Sequence, residues 1–376
     1  MPSETVPQKK VRYSYLPQQF ADPEPVFEEI RRLIQSGNYT LGAQVAQFEQ
    51  AFARVIGVKH AIGVASGTDS LMLGLKALGI GHGDEVITAA NTFIATVGAI
   101  NAAGARPVLV DVTPYFTIDP ERIEAAITPH TKAIMPVHIT GEACDMDRIE
   151  AIAKKHHLPI VEDACQSILC EFNGQKAGTF GAAAGFSLHP LKNLNVWGDA
   201  GVVVTNRDDL NETLRLLRNH GLKNRDEIEI LGYNSRLDTL QAIVGNSLVG
   251  QVGDITARRI QNAARYDAGF KNLSGQITLP PRRANVKRVY HLYMVQAYRR
   301  DALLRFLEEN GIEAKVHYPI PLPWQRGLRH LGYKPGDFPE TERQAREFIT
   351  FPVDQHLRPD EIDYVIEKVH EFYKSV

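Results

Sequence analysis

The chain has 376 residues, and its 42 Lys and Arg against 44 Asp and Glu leave a formal net charge of −2, which gives no basic footprint for nucleic acid. That length can bury a large core and suits about two domains. Three cysteines (Cys144, Cys165 and Cys170) argue against a disulfide framework and fit none of the usual zinc spacings, so no metal is expected.

No stretch reaches the length of a membrane span. Met1 to Leu16 carries Lys9, Lys10 and Arg12 with no apolar run behind them, so a cytoplasmic chain without a secretory signal is expected.

After a non-repetitive N-terminal arm, Ala61 to Leu71 runs from a short strand into a helix. Leu71, Met72, Leu75 and Leu78 recur there at helical spacing. At that helix start Gly67 allows backbone to approach an anion, and Thr68 with the first free N–H groups points at it. Asp84 to Thr88 reads as a strand, Thr92 to Ala103 as a helix and Pro107 to Asp111 as a strand. Lys132 to Val137 reads as a strand and Asp145 to His157 as a helix. This alternation predicts a mainly parallel sheet covered by helices. Gly79-Ile80-Gly81-His82-Gly83 leads into a strand and not a helix, against the dinucleotide fingerprint of a nucleotide-sugar oxidoreductase.

Leu158 to Ser167 reads as a buried parallel strand that ends on Asp163, where open α/β sheets collect their ligands. A carboxylate there can pair with a protonated pyridine nitrogen, the electron sink of pyridoxal 5'-phosphate (PLP). A helix N-cap is the plainer use of such an aspartate. Next, a strand ending at Ser187 and Leu188 is followed by Lys192, a glycine-bearing turn and the strand Val202 to Val204. A lysine held there by neighbouring backbone can form a Schiff base with an aldehyde cofactor. After about Gly250 a helix runs to about Leu273, followed by a strand from Val289 to Tyr298. Helices from Asp301 to Asn310 and from Pro359 to Tyr373 complete a smaller α/β unit.

The ordered series Ser66-Gly67-Thr68-Asp69-Ser70-Leu71, Asn91-Thr92-Phe93, Glu162-Asp163-Ala164-Cys165-Gln166, Lys192-Asn193-Leu194, Tyr233-Asn234-Ser235-Arg236 and Val316-His317-Tyr318-Pro319 resembles the DegT/StrS-like sugar aminotransferases. These are a branch of the fold-type I PLP enzymes, and the likeness runs nearly end to end. It implies an aspartate-aminotransferase-like fold, with the arm and a large PLP-binding domain over residues 1–250 and a small domain over 251–376.

By the same resemblance, Lys192 forms the Schiff base and shuttles the proton, and Asp163 binds the pyridine nitrogen. Gln166 bonds the ring's phenolic oxygen, and Phe93 stacks on a ring face. Gly67, Thr68 and Ser187 hold the phosphate. Asn234 reaches the cofactor of the neighbouring subunit in a homodimer. The implied reaction is a ping-pong transfer of an amino group from glutamate to a nucleotide-linked keto-sugar, serving amino sugar and polysaccharide biosynthesis. A keto-cyclitol acceptor and a catalytically silent regulatory relative are the alternatives.

Related sugar dehydratases carry histidine where this chain has Lys192, so transamination is expected. Arg236 and His317 are further candidates to touch the acceptor or donor. The chain departs from the family pattern at Cys165, at His189-Pro190, at Trp197 and at Ile139-Thr140-Gly141-Glu142, all expected to line or flank the substrate side, with Cys165 a small structural thiol.

Overall fold

The structure is a computed structural model that describes residues 9–376, so the first eight residues of the N-terminal segment lie outside the described residues. Strand His60–Val64 pairs antiparallel with Gly201–Thr205, which pairs antiparallel with Ala183–Ser187. Ala183–Ser187 runs parallel to Val161–Asp163. Parallel bridges Ile134↔Ile160 and Val137↔Asp163 carry the sheet on to Thr131–Met135. Glu85–Ala89 and then Arg106–Val110 follow, both parallel. Gly201–Thr205 alone runs against its neighbours, so the sheet is mainly parallel, as the alternation predicts.

Successive residues of a strand face opposite sides of the sheet, and both sides here are apolar. Val202 and Val204 enter one core with helices Ala43–Ile56 and Thr239–Val249. Val203 enters the other with helices Gly67–Ala77, Ile94–Ala103 and Asp208–Leu217. The sheet is therefore sandwiched. At Gly185 a Cβ would fall 2.4 Å from Ser70 Oγ and 2.7 Å from a Leu71 methyl. Glycine there lets helix Gly67–Ala77 settle directly on the strand that leads to Lys192.

A second apolar core gathers helices Val252–Phe270, Arg300–Glu309 and Pro359–Lys374 around strands Ile277–Thr278, Tyr293–Ala297 and Phe348–Phe351. Val11 and Tyr15 of the arm join this core, and the Tyr15 hydroxyl donates to Glu361 at 2.6 Å. The strand expected from Val289 starts only at Tyr293, because the four residues before it are engaged elsewhere. The Val289 N–H donates to the Gly141 carbonyl at 3.0 Å, and the Leu292 N–H to that of Thr140 at 3.3 Å. Among the described residues no helix is long and apolar enough to cross a membrane.

Candidate active site

The C-terminal end of Val161–Asp163, the start of helix Gly67–Ala77 and the loop after Ala183–Ser187 converge on a cavity of about 320 Å³. Gly67, Thr68, Phe93, Asp163, Gln166, Ser187 and Lys192 all line it, as do His189, Pro190 and Cys165. Seven of the eight expected cofactor residues thus come together from segments scattered over more than a hundred positions. Asn234 is the eighth; it is exposed and lies outside this cavity.

Adjacent side chains of one strand divide two tasks. Glu162 points away from the cavity and accepts N–H bonds from Gly178 at 2.7 Å, Phe180 at 2.8 Å and Gly181 at 2.7 Å, with His138 Nε2 at 3.0 Å. These bonds satisfy a fully buried carboxylate and clamp the strand end. Its neighbour Asp163 consequently faces the cavity, where Oδ2 accepts from the Thr96 hydroxyl at 2.7 Å and Oδ1 from the Cys165 N–H at 3.1 Å. The Thr92 hydroxyl lies 2.7 Å from that of Thr96.

Lys192 sits in a loop pinned by Lys192 N–H to His189 carbonyl at 2.8 Å and by Asn195 Nδ2 to Lys192 carbonyl at 3.1 Å. Burial pushes its ammonium pKa down, against the smaller opposing effects of Cys165 and Asp163. A neutral amine is thereby favoured. The Cys165 thiol moves the other way, raised well above its usual value by burial and then by Asp163, so it stays protonated.

Ser66 caps the helix by accepting from the Asp69 N–H at 3.1 Å. The Gly67 and Thr68 N–H groups have no acceptor among the described residues. A Cβ on Gly67 would lie 2.6 Å from Ser187 Cβ, so only glycine leaves this niche open beside the hydroxyl.

A scan against family models matches residues 22–370 to the DegT/DnrJ/EryC1/StrS aminotransferase family. The chain belongs to this family. A Geobacillus stearothermophilus pleiotropic regulatory protein is 41% identical over 362 residues, 96% of this chain and 97% of its own length. The dTDP-3-amino-3,4,6-trideoxy-alpha-D-glucose transaminase of Streptomyces venezuelae is 39% identical over 366 residues, 95% of this chain and 96% of its own. The crystal structure of S. venezuelae DesV in complex with a ketimine intermediate superposes with a TM-score of 0.95 at 38% identity, covering 98% of this chain and 99% of that one. Solved neighbours include PLP and PMP forms.

The protein is accordingly a PLP-dependent aminotransferase with the fold expected from its sequence. The residues present fit that cofactor. Two unpaired helix N–H groups and an open glycine niche suit a phosphate, a buried carboxylate suits a cationic ring nitrogen, and a disfavoured ammonium suits condensation with an aldehyde.

Part of the substrate-side set does not line the cavity. Thr140 and Glu142 are buried behind Gln166 and do not line the aminotransferase cavity. Trp197 packs edge-on against Phe20 and Phe27, with ring centroids 5.4 and 5.8 Å away, and also lies off the cavity wall. Arg236 donates to Asn219 Oδ1 at 3.1 Å and is likewise outside it. His317 does line the cavity.

Burial, together with Lys192 and Lys315, lowers the His317 pKa from 6.5 to about 4. The unfolded chain therefore binds more protons here than the native one between these values, and stability falls as pH drops through that window. Urea midpoints measured from pH 6.5 to about 4 should decline less steeply in His317→Asn than in the parent. An unchanged slope would remove His317 as the cause.

Proposed function

We propose that this aminotransferase moves an amino group from glutamate to a nucleotide-linked keto-sugar in a cytoplasmic homodimer, by a ping-pong sequence. The observation that carries the reading is a lysine with a disfavoured ammonium in the same cavity as Asp163 and the open helix N-terminus. The transaminase names of the relatives support a nucleotide-linked acceptor over a cyclitol. Retention of both Lys192 and Asp163 favours an enzyme over a silent regulator.

When bound, the cofactor supplies an aldehyde that condenses with amines and a ring that takes up an electron pair. Lys192 Nζ would offer the amine that holds the cofactor, and its neutral form would serve as the base for the donor's α-proton. Asp163 would pair with the pyridine nitrogen and favour its protonated form, since an opposite charge favours the cationic form. The Gln166 amide would donate to the phenolic oxygen, and Phe93 would cover a ring face. Gly67 and Thr68 N–H groups with the Ser187 hydroxyl would take the phosphate, and Asn234 would complete that site across the dimer.

The reading predicts a yellow protein whose visible band bleaches on addition of glutamate. Incubation with a panel of nucleotide-linked ketoses, with products read by NMR, should then give an amino sugar at one ring carbon. A colourless protein in excess PLP, or bleaching without amination of any ketose, would count against it. Sedimentation at working concentration reports the dimer separately.

A further inference from the structure

The Gln166 side chain is oriented from behind. Its Oε1 accepts from the Thr140 backbone N–H at 2.6 Å, and because a backbone N–H can only donate, the atom facing it must be the oxygen. The amide nitrogen is left on the other side, where the Tyr318 side chain hydrogen-bonds Gln166 and both residues line the cavity. Which end of this amide meets a ligand therefore depends on where Thr140 holds its N–H.

Thr140 holds it in a conformation that a β-branched residue rarely adopts, with φ 61° and ψ 1°. Such a backbone persists only where its surroundings over-determine it. Three contacts do so. The Thr140 hydroxyl accepts from Arg288 Nη2 at 2.8 Å. Its carbonyl accepts the Leu292 N–H at 3.3 Å. Gly141 follows at φ 88°, and a Cβ there would lie 2.9 Å from the Tyr290 nitrogen.

Arg288 is buried, with its guanidinium 5.2 Å from the Tyr290 ring centroid and Nε 3.7 Å from Glu142 Oε2. Glu142 Oε1 is meanwhile taken by Arg283 Nε at 3.0 Å. The departures Thr140 and Glu142 thus form one braced network with Arg288, immediately behind a cavity residue.

We propose that Arg288, acting through Thr140, is a positioning residue that fixes the Gln166 amide with its N–H groups toward the cofactor. The proposal rests on the reading of Gln166 as the partner of the ring's phenolic oxygen. A donated N–H stabilises the anionic form of that oxygen, so losing it makes the bound chromophore keep its proton to higher pH.

The test is a pH titration of the visible absorption of the cofactor-loaded protein, with the cofactor dissociation constant measured alongside. Gln166→Ala is the reference, and it should raise the midpoint by roughly half to one pH unit. Thr140→Val, which keeps the backbone N–H and the branched shape, should move the midpoint the same way. It should also raise the dissociation constant by about three- to ten-fold. Arg288→Met should match it, Thr140→Ser should restore the parent values, and Thr140→Val should add nothing in the Gln166→Ala background.

If Gln166→Ala leaves the midpoint unmoved, the assignment of Gln166 fails and takes this proposal with it. If Gln166→Ala moves it while Thr140→Val does not, the proposal alone is overturned. Should Arg288→Met not fold, Thr140→Val and its serine counterpart decide the matter.

Discussion

Lys192→Ala is expected to lower kcat by roughly a thousand-fold or more, because one substitution removes both the amine that condenses with the cofactor and the base that moves the donor's α-proton. The variant should nevertheless fold. The native surroundings disfavour the Lys192 ammonium through burial, so removing it relieves a cost instead of adding one. Since the unfolded chain protonates this lysine more readily than the native one does, any gain should shrink as pH rises toward the ordinary lysine value.

The cavity of about 320 Å³ leaves space at the vacated position for a small primary amine. Added methylamine should therefore restore part of the turnover in proportion to its neutral fraction. Turnover at the parental rate in Lys192→Ala without added amine would exclude position 192 from the chemistry.

The sheet and most of the cavity were legible in the sequence because their determinants are local. Glu85–Ala89 and Val161–Asp163 are short strands buried on both faces, as central parallel strands are, and Val202 to Val204 is an apolar run buried on both faces although its strand is antiparallel to its neighbours. Asp163 ends such a strand, and Gly67 and Lys192 follow within a few residues of strands His60–Val64 and Ala183–Ser187, where the topology delivers side chains to ligands. Cavity residues without such a signal went unnoticed. Arg259 donates through Nε to Gln355 at 2.9 Å and through Nη1 to the carbonyls of Tyr290 and His291 at 3.2 and 3.3 Å, partners 96, 31 and 32 residues away.

His291 also lines the cavity, and its buried Nδ1 has no hydrogen-bond partner among the described residues. Nothing in its apolar surroundings Tyr290 and Leu292 to Val295 marks it as more than a strand residue. Thr92 and Thr96 did leave a trace. Thr92 just before helix Ile94–Ala103 and Thr96 in its first turn bring one hydroxyl to the other and then to Asp163. The expected start of the Val289 strand failed for the opposite reason. Its residues have strand character, but their N–H groups serve the turn at Thr140 and Gly141, a tertiary pairing no local pattern encodes.

Asp163→Asn separates charge from shape at the other end of the proposed cofactor site. Asparagine has the same size, and its oxygen can still accept the Cys165 N–H that Asp163 Oδ1 takes at 3.1 Å. On the Oδ2 side the new amide meets Thr96 as a donor, and the hydroxyl can rotate to accept it and donate instead to Thr92, 2.7 Å away. Folding should therefore be kept, with a change in unfolding free energy of about 1 kcal/mol at most.

The electronic effect is far larger. A carboxylate beside a ring nitrogen shifts its proton affinity by about one to three pH units. An amide supplies no such charge, so the nitrogen loses its proton near neutral pH and the ring withdraws electrons less. The expected result is a fall in kcat of about a hundred-fold or more, with a much smaller change in the KM for the amino donor, because the interaction matters most as charge develops. The measurement is steady-state kinetics of the loaded enzyme, with cofactor occupancy checked by absorbance. Wild-type kcat in a fully loaded Asp163→Asn protein would show that this carboxylate only shapes the cavity wall. A loss of kcat matched by a loss of bound cofactor would assign it to retention and not to chemistry.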